Sequence, residues 1–362
     1  LEGGEAQRLL ERTTGLPLDP YFSASKLAWL LREADEARAA ARAGRLAFGT
    51  LDAFFLFRLS GGRTFATDPS TASRTGLMDL ASRRFDTACL DAWGIQPALL
   101  PEVVPTAMTE PVPTTLGAPV TASVCDQQAA LAAVGAVKPG DAKATHGTGC
   151  FVEVNVGAAP PRALAGLMPT VGWELPSGEA AYALEGGVFT AAAAVDWLVS
   201  LGLAGDAAEV DALARSADSG ETLFLPSFNG VGAPWWRDGA AGVLSGLRAS
   251  TGRAEIARAV IEGIAHRVTD VLDAMAGELA PGAALRADGG LSRSTALLQL
   301  EADLSGRALR AAAEREGTAA GAAAFAAIAA GELDLDGLAA RAEFEPPIEP
   351  RLAAGERAAR RA

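Results

Sequence analysis

The chain is poor in the residues that most often announce a chemistry. Three cysteines (Cys89, Cys125, Cys150) are scattered over 362 residues. They form neither a disulfide framework nor a metal-ligand spacing, and a reducing cytoplasm is the simplest compartment for them. Cys125 and Cys150 flank a candidate site and read as buried structural thiols. The two histidines, His146 and His266, have no partner pattern and also read as structural. Lysine occurs only at 26, 138 and 143, so nearly all positive charge is arginine, and the net charge is −13. That balance argues against a nucleic-acid partner, because phosphate neutralisation needs clustered cations. The short basic end Arg357 to Arg361 reads as solvating a terminal helix. No long hydrophobic run is present. The most apolar stretch, Ala319 to Ala330, is too short to span a bilayer, so no membrane partner is expected. No signal-peptide pattern opens the sequence.

What is present is enough apolar sequence (49%) and length for two domains with their own cores. The most informative segment is Val124-Cys125-Asp126-Gln127-Gln128, followed by His146-Gly147-Thr148-Gly149-Cys150-Phe151. Ala118 to Val124 is short, apolar and β-branched, and predicts a buried strand. Asp126 then stands at a strand's carboxyl end, where α/β sheets place their chemistry. Ala142 to Thr145 and Phe151 to Val156 predict two further strands around the Gly-Thr-Gly turn. Gly147 and Gly149 are expected to give that turn unusual torsions and close approach, with N–H groups and the Thr148 hydroxyl offered to a phosphate. A carboxylate base followed by a phosphate cradle suggests phosphoryl transfer. The plainer readings are a helix N-cap for Asp126 and an ordinary hairpin turn for the glycines.

Along the chain, Tyr21 to Ala43 predicts one amphipathic helix, with Leu27, Leu30 and Leu31 on one face, and Leu51 to Leu59 predicts a second. Ser60-Gly61-Gly62-Arg63 is a turn. Five prolines between Pro101 and Pro119 predict an extended segment. Gln127 to Val137 predicts a helix ended by Lys138-Pro139-Gly140, and a domain boundary is placed there, giving residues 1–137 and 138–362. Beyond it, helices are predicted at Thr190 to Leu201, Arg253 to Gly277, Ser294 to Leu304 and Gly317 to Ala330. Strands are predicted at Thr222 to Pro226 and Ala284 to Asp288. The mixture is α/β.

Two long patterns, Tyr21 to Leu30 and Gly242 to Leu247 running on to Glu255-Ile256 and Ala259 to Glu262, resemble the two signatures of the FGGY carbohydrate kinases. Thr67-Asp68 to Thr75, Ala183 to Gly186, Pro226 to Trp236 and Asp288-Gly289-Gly290 agree with the same family in order. Asp126-Gln127-Gln128 and Gly147 to Phe151 are most similar to its glycerol-kinase members. The resemblance implies an actin-like (ribonuclease H-like) two-domain ATPase fold, with residues 1–137 on the polyol side and 138–362 on the nucleotide side. It implies ATP and Mg²⁺ as cofactors, glycerol or a similar polyol as substrate, and a homo-oligomer. Family members open with a strand and turn carrying an aspartate, a Gly-Thr phosphate segment and an arginine, followed by an Arg-Glu pair that grips the polyol. None is present, so the first domain is expected to be incomplete.

By the same resemblance Asp126 is the general base and a water-mediated Mg²⁺ ligand, and Gln127 and Tyr21 contact the polyol. Phe151 offers an apolar wall to its carbon chain. Gly147, Thr148 and Gly149 cradle the transferring phosphate; Asp288-Gly289-Gly290 ends a strand and starts a helix at the nucleotide, with Gly290 letting the backbone approach adenosine. Ser294 stands where relatives often carry an adenine-contacting asparagine. Ala192 and Asp196 replace a glycine and a glutamine at two further nucleotide positions. The expected activity is phosphorylation of glycerol to glycerol 3-phosphate. The rivals are a kinase of another polyol or a ketose, and a catalytically incomplete nucleotide-binding chain.

Overall fold

A computed structural model describes residues 4–162 and 166–361. Its centre is a six-stranded mixed sheet built from β1 (Ala142–His146), β2 (Cys150–Gly157), β3 (Met168–Glu174), β4 (Ala180–Val188), β5 (Leu285–Asp288) and β6 (Leu309–Ala311), in the spatial order β6-β5-β1-β2-β4-β3. The β1, β5 and β6 strands run parallel, and β1-β2, β2-β4 and β4-β3 are antiparallel. Five helices accompany the sheet: α1 (Asp126–Ala133), α2 (Ala192–Ser200), α3 (Arg253–Ala274), α4 (Thr295–Ser305) and α5 (Gly317–Ala329).

The period of two along each strand divides the sheet into two unlike faces. Ala142, Ala144, Val152, Val154, Leu184, Leu285 and Ala287 point one way and join Val260, Ile264, Val268 and Leu298 of α3 and α4 in the main apolar core. The alternate residues Lys143, Thr145, Glu153, Glu185, Arg286 and Asp288 therefore share the other face. There α1 and α5 lie, with Leu131 and Phe325 packed among Trp173 and Ala183. A row of charged and polar groups thus runs beneath the helix that begins at Asp126.

The α1 helix is shorter than expected. Gly135 takes φ +67, its N–H reaches the Ala132 carbonyl, and the Ala136 N–H reaches Leu131. This paired closure ends the helix at Ala133, five residues before Lys138. The expected helix Tyr21 to Ala43 is two, Ser23–Glu33 and Asp35–Arg42, because Ala34 is extended and Asp35 and Glu36 begin a new N-terminus favourable to acids. Leu27 is buried, but Leu30 is 41% exposed. The helix Leu51–Leu59 has the expected bounds, yet Phe54, Phe55 and Phe57 stay exposed on it. The strand expected at Ala118 to Val124 is only Val120–Ala122, paired with Ala107–Val112. Among the described residues before 138, all sheets are two-stranded. No described helix is long and apolar enough to cross a membrane.

Candidate functional site

Cys125, rather than Asp126, is the N-cap of α1, so Asp126 is the first helical residue and its side chain does not cap. The start of the helix is pinned from behind. The Cys125 N–H donates to Ser70 Oγ (2.8 Å), and Ser70 Oγ–H donates to Asp68 Oδ2 (2.7 Å). Asp68 is fully buried, also accepts from Thr106 Oγ1 (2.8 Å), and has its pKa pushed up to about 6 by burial. The Thr67-Asp68 block is therefore an anchor for the Cys125-Asp126 step. Burial first, then the neighbouring Asp126, push the Cys125 thiol well above its ordinary pKa. It remains protonated near neutral pH and is no nucleophile.

The Asp126 carboxylate is exposed. Its Oδ1 accepts from the Gln127 N–H (2.8 Å) and weakly from the Cys125 thiol (3.5 Å), which leaves Oδ2 without a donor among the described residues. Below it, the Lys143 ammonium is fully buried and faces Gln127 Oε1 at 2.5 Å, Thr145 Oγ1 at 2.7 Å and Glu153 Oε2 at 3.3 Å. Gln128 Nε2 donates to Glu153 Oε1 (2.7 Å). Burial, with Glu185 alongside, raises the Glu153 pKa to about 7 against the opposing pull of Lys143. Glu185 is paired with Arg74 at 2.9 Å, and the Arg74 guanidinium also lies 5.7 Å from the centre of the Phe22 ring. Tyr21 stands edge-on to Phe22 and is 60% exposed as a residue. Partial burial raises its phenol pKa while Arg74 opposes, and Asp126 lies close enough to add to the rise. Tyr21, Arg74, Cys125 and Asp126 thus form one neighbourhood.

The Gly-Thr-Gly turn closes β1 onto β2 at the His146–Cys150 pair. Neither glycine has positive φ, contrary to the expected special torsions. Gly149 is needed for space, since a Cβ there would lie 2.5 Å from the Val188 carbonyl oxygen, whereas one on Gly147 would meet nothing closer than 3.7 Å. The turn's carbonyls are used: Thr148 O accepts from Ala191 and Ala193, and Gly147 O accepts from Ala192. The exposed Thr148 side chain has no protein partner among the described residues. Ala192 begins α2, and Asp196 follows one turn later on its exposed side. Phe151, half-buried, lies against Gly187, where a Cβ would come within 3.3 Å of its ring.

Asp288 ends β5 beside the end of β1, and its Oδ1 accepts from Thr145 Oγ1 (2.5 Å). Gly289 has φ +87 and a Cβ there would lie 2.6 Å from the His146 carbonyl oxygen, so glycine is required. Gly290 faces open space, with nothing within 4 Å of a Cβ. The segment after it is a 3₁₀ turn, Gly290–Arg293, rather than the start of the helix. Ser294 is the N-cap of α4, accepting from the Leu297 N–H and donating to Asp211 Oδ1 (2.7 Å). Its hydroxyl is committed to the helix start. His146 is fully buried against Glu301 at 2.9 Å; burial lowers its pKa, but Cys150 and Glu301 hold it well above the ordinary value. His266 is half-buried, and burial lowers its pKa.

The structure therefore brings Asp126, Gln127, Lys143, Thr145 and Asp288 into one connected line. The two glycine motifs meet at the adjoining carboxyl ends of β1 and β5, the usual ligand crevice of an open α/β sheet. Asp68, Arg74, Lys143 and Glu185 do not stand out in the sequence as site residues. Asp68, Arg74 and Glu185 lie within the blocks Thr67 to Thr75 and Ala183 to Gly186 that agree with the family, and Lys143 is a rare lysine in an apolar strand run. A cavity of about 690 Å³ lined by Arg12, Thr13, Asp79, Pro160 and Arg162 lies apart from this line and contains none of the candidate residues. Among the described residues no cluster of three or more His, Cys, Asp or Glu could cage a metal. The free Asp126 oxygen does fit a magnesium ion that keeps waters and takes its other ligands from phosphate.

Comparison with known proteins shows the family and the fold. The N-terminal domain of the FGGY family of carbohydrate kinases matches residues 2–133, and its C-terminal domain matches residues 142–330. A glycerol kinase of Thermus brockianus is 45% identical over 357 residues, covering 97% of this chain and 72% of the relative. One of Citrifermentans bemidjiense is 43% identical, covering 96% and 71%. The crystal structure of Plasmodium falciparum glycerol kinase with ADP superposes with a TM-score of 0.90 at 27% identity, over 98% of this chain and 72% of that one. Xylulose kinase from Rhodospirillum rubrum gives 0.79 at 25% identity, over 95% and 70%. The fold is accordingly the mixed α/β, two-domain actin-like one, and the chain belongs to the FGGY family of carbohydrate kinases.

Proposed function

We propose that the chain phosphorylates glycerol at a primary hydroxyl with ATP, giving glycerol 3-phosphate and ADP. The observation that carries the reading is the Asp126 carboxylate, exposed at the head of α1 with Oδ2 free, beside a Gln127 side chain held from below. Its glycerol-kinase relatives at 43–45% identity support the choice of substrate.

In this reading Asp126 accepts the hydroxyl proton as the substrate oxygen bonds to the γ-phosphorus, and the bond from that phosphorus to the β–γ bridging oxygen breaks to release ADP. The proton later passes from Asp126 to water. Gln127 and Tyr21 orient the polyol, and Phe151 walls its carbon chain. The Thr148 hydroxyl and the turn between Gly147 and Gly149 hold the transferring phosphate. Gly289 and Gly290 leave room for the nucleoside, with Ala192 and Asp196 at its edge. Asp126 Oδ2 would hold Mg²⁺ through water, and the ion supplies neutralisation of phosphate charge. The exposed Phe54, Phe55 and Phe57 support self-association as a homo-oligomer. The free cysteines support a reducing, cytoplasmic setting.

A substrate panel tests the proposal: ADP release from Mg-ATP with glycerol, other polyols, xylulose and ribulose. Glycerol should give the highest kcat/KM. Preference for a ketose overturns the substrate assignment, and no ADP release with any acceptor overturns the kinase activity of this chain.

A further inference from the structure

We infer that Lys143 is a positioning residue that fixes which end of the Gln127 amide faces the substrate, so that the site presents one hydrogen-bond donor beside the acceptor Asp126. The inference rests on the proposed polyol site and adds how the hydroxyl is read.

An ammonium donates three hydrogens and accepts none. Lys143, fully buried, has three oxygens around it: Gln127 Oε1 at 2.5 Å, Thr145 Oγ1 at 2.7 Å and Glu153 Oε2 at 3.3 Å. The orientation of a glutamine amide is normally an assignment made from its neighbours. Here the neighbour admits one answer, because a flipped amide would set NH₂ against NH₃⁺ in a buried place. Thr145 is fixed in the same way: its oxygen accepts from Lys143 and its hydrogen goes to Asp288 Oδ1 at 2.5 Å. With Oε1 held by the ammonium, Nε2 is the end of the Gln127 amide left without a partner, having no acceptor among the described residues. Asp126, the residue before it, offers an acceptor. A donor and an acceptor side by side match an alcohol, which accepts at its oxygen and donates its hydrogen. They do not match an ether, which has no hydrogen to give Asp126.

The test is a double-substitution cycle on the whole chain, with glycerol KM and kcat as readouts and melting as a check on folding. Lys143→Met should raise KM about tenfold or more and change kcat less than about threefold, the pattern of lost uniform binding. In a Gln127→Ala background, Lys143→Met should change KM by less than about twofold, because its effect runs through the amide. An equal KM effect in both backgrounds would mean a general structural role and overturn the inference. Gln127→Glu does not depend on the lysine variant folding. One carboxylate oxygen keeps Lys143, the other can only accept, and KM should again rise about tenfold. A KM within about twofold of wild type would overturn the donor assignment. A wild-type chain that does not act on glycerol sinks the proposed function and this inference with it. An active wild type with an additive cycle sinks the inference alone.

Discussion

Replacing Gly321 by alanine should displace the helix that carries Asp126. Gly321 sits in α5, which packs across α1 with the two backbones in contact. A Cβ there would lie 2.0 Å from the Ala129 carbonyl oxygen and 2.6 Å from its carbon, against an ordinary contact beginning near 3.4 Å. The helices must separate by about 3.4 − 2.0 = 1.4 Å, because no side chain stands between them to rotate away. Overpacking of this kind costs about 1–3 kcal/mol, and backbone against backbone puts it at the upper end. Ala129 is in the same helix as Asp126, so the carboxylate moves too, and a misplacement of about 1 Å is enough for a rate loss of about 10². The assay is glycerol-dependent ADP release together with a thermal melt. Gly321→Ala should melt several degrees lower and turn over about 10–100-fold more slowly. Gly355→Ala, in the helix Ala354–Arg361 with nothing within 4 Å of its Cβ, should leave the melt unchanged or slightly raised. A Gly321→Ala chain that melts and turns over like wild type would refute this packing account.

Glu153 binds its proton more tightly when folded (about 7, against 4.5 unfolded), so stability should fall as pH rises between those values. Buried Asp68, raised to about 6, adds a slope of the same sign. Glu153→Gln should flatten the pH dependence of the melting midpoint over pH 5–7 relative to wild type (roughly the window between the two pKa values), and parallel curves would count against the assignment. Arg74→Met should cost about 3–5 kcal/mol by leaving Glu185 buried without its cation. Arg74→Met with Glu185→Met should recover much of that in denaturant melts, and a double variant no more stable than the single would contradict the pairing.

The helix Leu51–Leu59 and the strands on either side of the Gly-Thr-Gly turn were legible because each is short, apolar and bounded by turn residues. The strands β3 and β4 were not. Every residue in them is buried, so no polar alternation marks them, and Ala180 to Val188 is rich in alanine and glycine rather than β-branched residues. The predicted end of α1 lies past Gly135 because one glycine among many small residues does not mark the left-handed closure that Gly135 makes. Within the site, Asp126, Gln127 and the glycine motifs were visible as motifs. Lys143 was not, since nothing local says which face of Ala142–His146 lies under α1. The alternation was readable, but the charged row appears only when Lys143, Glu153 and Glu185 come into register across three strands. Ser294 shows the reverse: its position matched a motif, while its hydroxyl belongs to a helix cap and Asp211.

The most direct test of the proposed chemistry compares glycerol-dependent ADP production from Mg-ATP by the 362-residue chain and by its Asp126→Asn variant. If Asp126 is the base, the variant should melt like wild type while kcat falls on the order of 10²–10⁴-fold. A fall of less than about threefold in a folded variant would remove Asp126 from that role and contradict the mechanism built on it.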